Sequence, residues 1–240
     1  MSTLSFHELT KRYGDVAALD GFTAVAMPGR VTAFVGPNGA GKTTALRILL
    51  GLAEPTTGAA TIDGQRYRDL THPTRVVGAV LDQGFHPNRT ARNHLRIIAR
   101  QARVAPSRAD ELLHRFGLDG AARRRVGGYS LGMRQRLALA SAVIGDPSVL
   151  VLDEPLNGLD PDGIREMRRY LRSFADRGGT VLLSSHLLSE VEAVADDLIV
   201  ISQGRLAAAG SLADLVADTD LESVFHSITH PTHTEQEAWS

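Results

Sequence analysis

Apolar and polar positions fall into two periods along the chain. Short alternating segments near the N-terminus, Leu4-Ser5-Phe6-His7 and then Val16 to Val25, predict a small antiparallel sheet. Arg30-Val31-Thr32-Ala33-Phe34-Val35 is mostly apolar and predicts a buried strand, and Thr44 to Leu52 continues with helix-forming residues. Gly58 to Gly64 and Val76 to Leu81 read as further strands. From Thr90 the period changes: Ala91 to Val104 sets Leu95, Ile98, Ala99 and Ala102 at helical spacing with arginines between them. A second helix is expected over Ser107 to Phe116, with Ser107 as N-cap and Asp110 three residues on. The stretch Tyr129 to Leu137 reads as a loop that opens a small-residue helix, Leu137 to Ile144. Residues 90–145 are thus expected to form a helical insertion between halves of a parallel sheet. Ser148 to Leu152 and Thr180 to Leu183 complete the parallel strands, with a helix from Asp162 between them. Leu198 to Ser202 and Leu206 to Ala209 close the pattern around Gly204. The predicted fold class is α/β: a parallel sheet, an N-terminal antiparallel β subdomain and a helical insertion. The polar tail from Thr229, with His230 and His233, is expected to be disordered rather than metal-binding.

Composition narrows the class. The chain has 240 residues, 43% hydrophobic and 22% charged, with a net charge of −1, which suits one sizeable domain with an ordinary core. Near-neutral balance gives no support for broad nucleic-acid binding, which wants a basic stripe. The absence of cysteine excludes disulfide and thiol chemistry and points to a reducing cytoplasm. Met1 to Phe6 lacks the charged and apolar regions of a signal peptide. Apolar runs such as Leu137 to Ile144 fall far short of the roughly 20 residues that span a bilayer, so a soluble chain is expected.

The candidate chemistry begins between the strand ending at Val35 and the helix from Thr44. Gly36-Pro37-Asn38-Gly39-Ala40-Gly41-Lys42-Thr43-Thr44 fits G-x-x-x-x-G-K-[ST], the Walker A phosphate loop. Its glycines let the backbone curl so that successive N–H groups point at a phosphate. The helix N-terminus adds partial positive charge, Lys42 can reach the β- and γ-phosphates, and the Thr43 hydroxyl suits Mg²⁺. A glycine-rich turn before an ordinary helix is the bland alternative; the strand–loop–helix context argues against it. Val149-Leu150-Val151-Leu152 followed by Asp153-Glu154 is the Walker B pattern, in which the aspartate holds Mg²⁺ and the glutamate orients the attacking water. His186 stands at the end of a strand, the edge where open parallel sheets bind ligands. Tyr13 lies in a turn ahead of the loop; on position alone a packed tyrosine is the plainer reading, and stacking on an adenine the functional one.

Walker A, a helical insertion, Tyr129 to Gln135, Walker B with Glu154, Asn157 to Asp160, and His186 occur in that order. Across residues 2–215 this resembles the ATP-binding subunit of ABC transporters, leaving 216–240 as a C-terminal extension. Ser130-Leu131-Gly132-Met133-Arg134-Gln135-Arg136 is similar to the signature of the bacterial drug and antibiotic exporters of the daunorubicin and bacitracin type. The resemblance implies an ATPase requiring ATP and Mg²⁺, paired as a homodimer on the cytoplasmic face of the membrane and powering a separate integral permease. Each ATP would be cradled by Gly36 to Thr44 of one chain and touched by Ser130 and Gly132 of the other, which the helix at Leu137 would face with its N-terminal end. Glu154 and His186 would be catalytic, Asp160 would link the two sites, Tyr13 would stack on adenine, and Thr43 and Asp153 would hold the metal.

Two departures stand out. Leu131 occupies a glycine position of the common L-S-G-G-Q signature, though its backbone N–H and Gly132 remain. The family also places a glutamine after the strand at Val77 to Leu81, in contact with Mg²⁺. Counting forward from Gly78 puts Asp82 there, whereas counting back from His86-Pro87 with a one-residue deletion brings in Gln83, which is preferred. Efflux of a hydrophobic compound is the expected task. A soluble ABC-type ATPase of translation or DNA repair is the alternative, although this chain has a single Walker A and no heptads. A kinase or GTPase would have no use for the signature.

Overall fold

The computed structural model describes residues 2–81, 84–216 and 220–229. The first part of the chain contains β1 (Leu4–Tyr13), β2 (Val16–Ala26), β3 (Val31–Val35), α1 (Lys42–Leu49) and β4 (Thr57–Ile62). Next come α2 (Pro73–Val76), β5 (Val77–Val80), α3 (Ala91–Gln101), α4 (Ser107–Arg115), α5 (Leu131–Ala142) and β6 (Val149–Leu152). The last part holds α6 (Pro161–Asp176), β7 (Thr180–Ser185), α7 (Leu188–Glu192), β8 (Asp197–Ser202), β9 (Arg205–Ser211), α8 (Leu212–Leu215) and α9 (Leu221–Thr229).

The strands form two sheets. One is antiparallel with order β2-β1-β4, and β1 bulges near Glu8, whose φ is +44°. The other has order β5-β6-β7-β3-β8-β9, parallel throughout except for β9, which runs against β8. Its parallel strands read as apolar runs because both faces are covered. The period of two sends Val31, Ala33 and Val35 into a core shared with the helices, while Phe34 between them enters a second core. Leu150 and Leu152 follow the first route, Val149 and Val151 the second. In that second core Phe34 stacks on Phe22 with centroids 5.5 Å apart, and Phe22 meets Phe6 edge-on at 5.3 Å. These contacts fasten the antiparallel sheet to the central strand.

The α/β class, the antiparallel subdomain and the helices between β5 and β6 agree with the sequence reading. Two local expectations are corrected, and one element is added. α5 begins at Leu131, six residues before the expected start at Leu137: Ser130 is its N-cap and accepts a hydrogen bond from the Met133 amide at 3.3 Å. Gly132 and the polar Arg134-Gln135-Arg136 hide that first turn from an apolar-periodicity reading. Ser107 is not a cap, because Pro106 already adopts helical angles (φ −60°, ψ −24°) and opens α4 itself. The C-terminal extension carries α9, whose Leu221 is fully buried against the helical core. His230 and His233, for which disorder was expected, lie outside the described residues.

The order β6-β7-β3 decides where chemistry can occur. Leu152 pairs with Leu183 and Val35 with Ser185, so these strands end level with one another. The loops that follow them open at one carboxyl edge, the edge where such sheets bind ligands.

Candidate functional site

The phosphate loop leaves β3 at Gly36 and enters α1 at Lys42. Gly41 has φ +112°, and a Cβ there would lie 2.5 Å from the Ala18 carbonyl oxygen, so only glycine fits. The Ala40 N–H donates to the Pro37 carbonyl (3.1 Å), and the Ala40 carbonyl accepts from the Gly204 N–H (3.0 Å), so the β8–β9 turn braces the loop from behind. Lys42 is buried, and its Nζ donates to the loop carbonyls of Gly36 (2.6 Å) and Pro37 (3.2 Å). Burial pulls its pKa below the usual lysine value, against the opposing pull of Glu154 and Asp153. A pocket of about 290 Å³ opens here, lined by Asn38, Gly39, Gly41, Lys42, Thr43 and Thr44, with Asp153 and Glu154 across from them.

Asp153 and Glu154 follow β6. The Thr43 hydroxyl donates to Asp153 Oδ2 at 3.0 Å, and the Ser184 hydroxyl donates to Asp153 Oδ1. The Glu154 backbone stands at φ +50°, a sparsely populated region for a non-glycine residue, and its amide donates to Ser184 Oγ at 2.9 Å. Ser184 thus orients both acids, a role that the sequence reading missed because a serine inside an apolar strand carries no motif. His186, just past β7, places Nδ1 2.8 Å from Glu154 Oε2. Glu190 on α7 is buried, and burial raises its pKa against the influence of Arg168 and His186.

The signature region packs on the residues around Asn157 within the same chain. Gln135, buried on α5, donates from Nε2 to the Asn157 carbonyl at 3.4 Å. Gly158 has φ +72°, and a Cβ there would collide with the Leu131 side chain. Leu131, the departure from the common signature, therefore rests over Gly158. Asp160 caps α6, its Oδ1 accepting from the Gly163 amide at 2.8 Å. Neither Ser130 nor Gly132 lines the 290 Å³ pocket of its own chain.

Tyr13 ends β1 and is 53% exposed, with Lys11 Nζ 4.9 Å from its ring centroid, so it is not a packed core tyrosine. Asp82 and Gln83 lie outside the described residues. A basic groove of about 500 Å³ is lined by His86, Arg89, Arg96 and Arg100. Among the described residues no group of three or more His, Cys, Asp or Glu could cage a metal. Mg²⁺ needs no such cage, since it binds through one or two carboxylates together with substrate phosphates. The Thr43 hydroxyl and Asp153 carboxylate, 3.0 Å apart on the wall of the phosphate pocket, are a hard-oxygen pair that fits it. Among the described residues no helix is long and apolar enough to cross a membrane.

The chain is similar to known proteins in sequence and in fold. The ABC transporter family model matches residues 19–157, more than half of the chain. The bacitracin transport ATP-binding protein of Bacillus licheniformis is 42% identical over 203 residues, covering 83% of this chain and 66% of that protein. The daunorubicin resistance ATP-binding protein of Streptomyces coeruleorubidus is 41% identical over 215 residues, covering 87% of this chain and 68% of that protein. The chain thus spans about two thirds of the length of these curated relatives. A solved structure described as the ATP-binding subunit of an ABC transporter superposes with a TM-score of 0.85 at 27% identity, covering 94% of this chain and 98% of that one. On its sequence, its fold and the geometry at its sheet edge, the chain belongs to the ABC transporter family as an ATP-binding, ATP-hydrolysing domain.

Proposed function

We propose that this chain is the ATP-hydrolysing subunit that powers a separate membrane permease for efflux of a hydrophobic compound or antibiotic. The observation that carries the reading is the meeting of two pairs at one sheet edge: Thr43 with Asp153 at 3.0 Å, and Glu154 with His186 at 2.8 Å. The first pair holds Mg²⁺, which when bound offsets charge on the transferring phosphoryl group. Lys42 exchanges its loop carbonyls for the phosphates, favoured by the charge it already carries into a buried place. Glu154 accepts a proton from the attacking water, and His186 orients that carboxylate and the γ-phosphate. Tyr13 offers an exposed ring to the adenine.

The basic groove at Arg89, Arg96 and Arg100 is the face offered to the permease. The two relatives named for bacitracin transport and daunorubicin resistance support the efflux reading, in which the chain works as a peripheral subunit on the cytoplasmic face of the membrane. The test is to purify the chain from detergent-solubilised membranes. Stoichiometric recovery of an integral membrane protein, with Mg²⁺-dependent ATPase activity stimulated by a hydrophobic antibiotic, is the expected result. Recovery with ribosomes or nucleic acid alone would move the assignment to the soluble ATPases.

A further inference from the structure

A second pocket, of about 300 Å³, opens where α4, α5 and α6 meet. It shares no lining residue with the nucleotide pocket. Its volume sits at the lower end of the range for small-molecule sites. The floor is apolar: Phe116, Leu139 and Met167 are buried there, and Tyr170 packs against Phe116 with ring centroids 5.2 Å apart.

The rim is basic. Arg115 comes from the end of α4, Arg136 from α5 and Arg169 from α6. The acid on the wall is Glu166, 3.6 Å from Arg136 Nε, so three cations face one anion and the local balance is 3 − 1 = +2. Arg115 lies over the Tyr170 ring at 5.1 Å, a contact made through the face of that ring. The Arg169 side chain is exposed and makes no hydrogen bond or ion pair with any described residue. Like charges gathered around a concave apolar floor repel one another and draw in an anion. A plain inorganic anion would answer the charge and leave the aromatic floor wet. A neutral apolar molecule would do the reverse.

We propose that this pocket is a binding site for a small amphiphilic anion. Its alkyl or aromatic body lies on Phe116 and Tyr170, and its carboxylate or sulfonate head is held by the rim arginines, whose forked donors match such groups. The walls belong to the helix that carries the signature and to the helix that Asp160 caps. An occupant therefore holds α5 against α6 and acts on turnover rather than on ATP binding.

The test is a fluorescence titration of the full chain with 8-anilinonaphthalene-1-sulfonate, followed by competition with decanoate. One saturable site per chain is expected, displaced by decanoate and unaffected by saturating MgATP. The double variant Arg115→Glu, Arg169→Glu changes two exposed side chains and should weaken binding at least tenfold. Ser173→Trp, at the exposed rim, keeps every charge and blocks the mouth, so it should remove the site while ATP affinity stays unchanged. Thermal melts show whether both variants remain folded. Absence of saturable binding, displacement by ATP, or undiminished affinity in the folded variants would each overturn the proposal.

Discussion

At the scale of single residues, the site depends on a few side chains whose freedom has been removed. Tyr13 is held at the end of a strand with its ring in solvent, a costly way to keep an aromatic unless something covers it. Tyr13→Ala should therefore weaken ATP binding by about 1–3 kcal/mol, the usual worth of a base–aromatic stack. Fold stability should scarcely change, and equal ATP affinity in a nucleotide titration would dismiss the stacking role. Gly158 argues from the opposite side. Its φ of +72° disfavours any side chain, and the space a Cβ would enter is filled by Leu131. Gly158→Ala should cost about 1–2 kcal/mol of stability from the backbone alone. It should also displace the signature residue beside Gly132, so ATPase activity should fall more than the melting shift explains. Unchanged turnover in a folded variant would show that the Leu131 contact has no part in the site.

At the scale of elements, what could be read from the sequence follows from what each element buries. The parallel strands were legible because both faces are covered, which leaves unbroken apolar runs such as Val149 to Leu152. The phosphate loop was legible because its backbone shape demands glycines at set positions. The true start of α5 was not, since its first turn carries Gly132 and Arg134 in place of an apolar stripe and sends only Met133 partly into the core. Ser184 was invisible for another reason, since it matters through a contact with a residue 31 positions away, and Gln135 was read only as part of the signature, without its contact to Asn157 22 positions on. The short helix α9 escaped because only Leu221 at its start is fully buried, too little to make a period. Yet α9 packs on α7, and the Leu221 N–H donates to Glu192 Oε1 at 3.2 Å. Since α7 begins two residues after His186, loosening α9 should reach the histidine before it reaches the phosphate loop. Leu221→Ala should destabilise the chain by about 2–5 kcal/mol, as for other buried leucines. In the folded fraction kcat should drop while ATP affinity holds. A fall in affinity with kcat intact would mean that the disturbance travels through α1 instead.

At the scale of the whole molecule, the phosphate pocket and the signature stretch of one chain do not meet. Lys42, Asp153 and Glu154 line one pocket, while Ser130 and Gly132 open a different helix and contribute nothing to that pocket's wall. Leu131 at the helix start is 47% exposed, an apolar side chain left facing solvent beside a helix N-terminus that favours anions. Two copies placed face to face would resolve both features, each signature closing on the other's nucleotide and the exposed Leu131 becoming covered. Hydrolysis would then reopen the pair by removing the γ-phosphate that both chains hold. Glu154→Gln separates these steps. Its amide keeps the size of the carboxylate and can still hydrogen-bond to His186, but it cannot accept the proton of water at neutral pH. Turnover should fall by about 10²- to 10⁴-fold, the range for a general base. ATP binding should persist, because Lys42 and the loop amides are untouched. With hydrolysis blocked, the variant should elute as a dimer in sizing experiments with MgATP and as a monomer without it, whereas the parent chain should dimerise only transiently. Adding Ser130→Ala should return the ATP-bound variant to monomer, since it removes the cap of α5 and, in the face-to-face pair, the hydroxyl that would reach the other chain's nucleotide. A Glu154→Gln chain that stays monomeric with ATP bound would sever the link between the phosphate pocket and the signature stretch, even if its hydrolysis were lost.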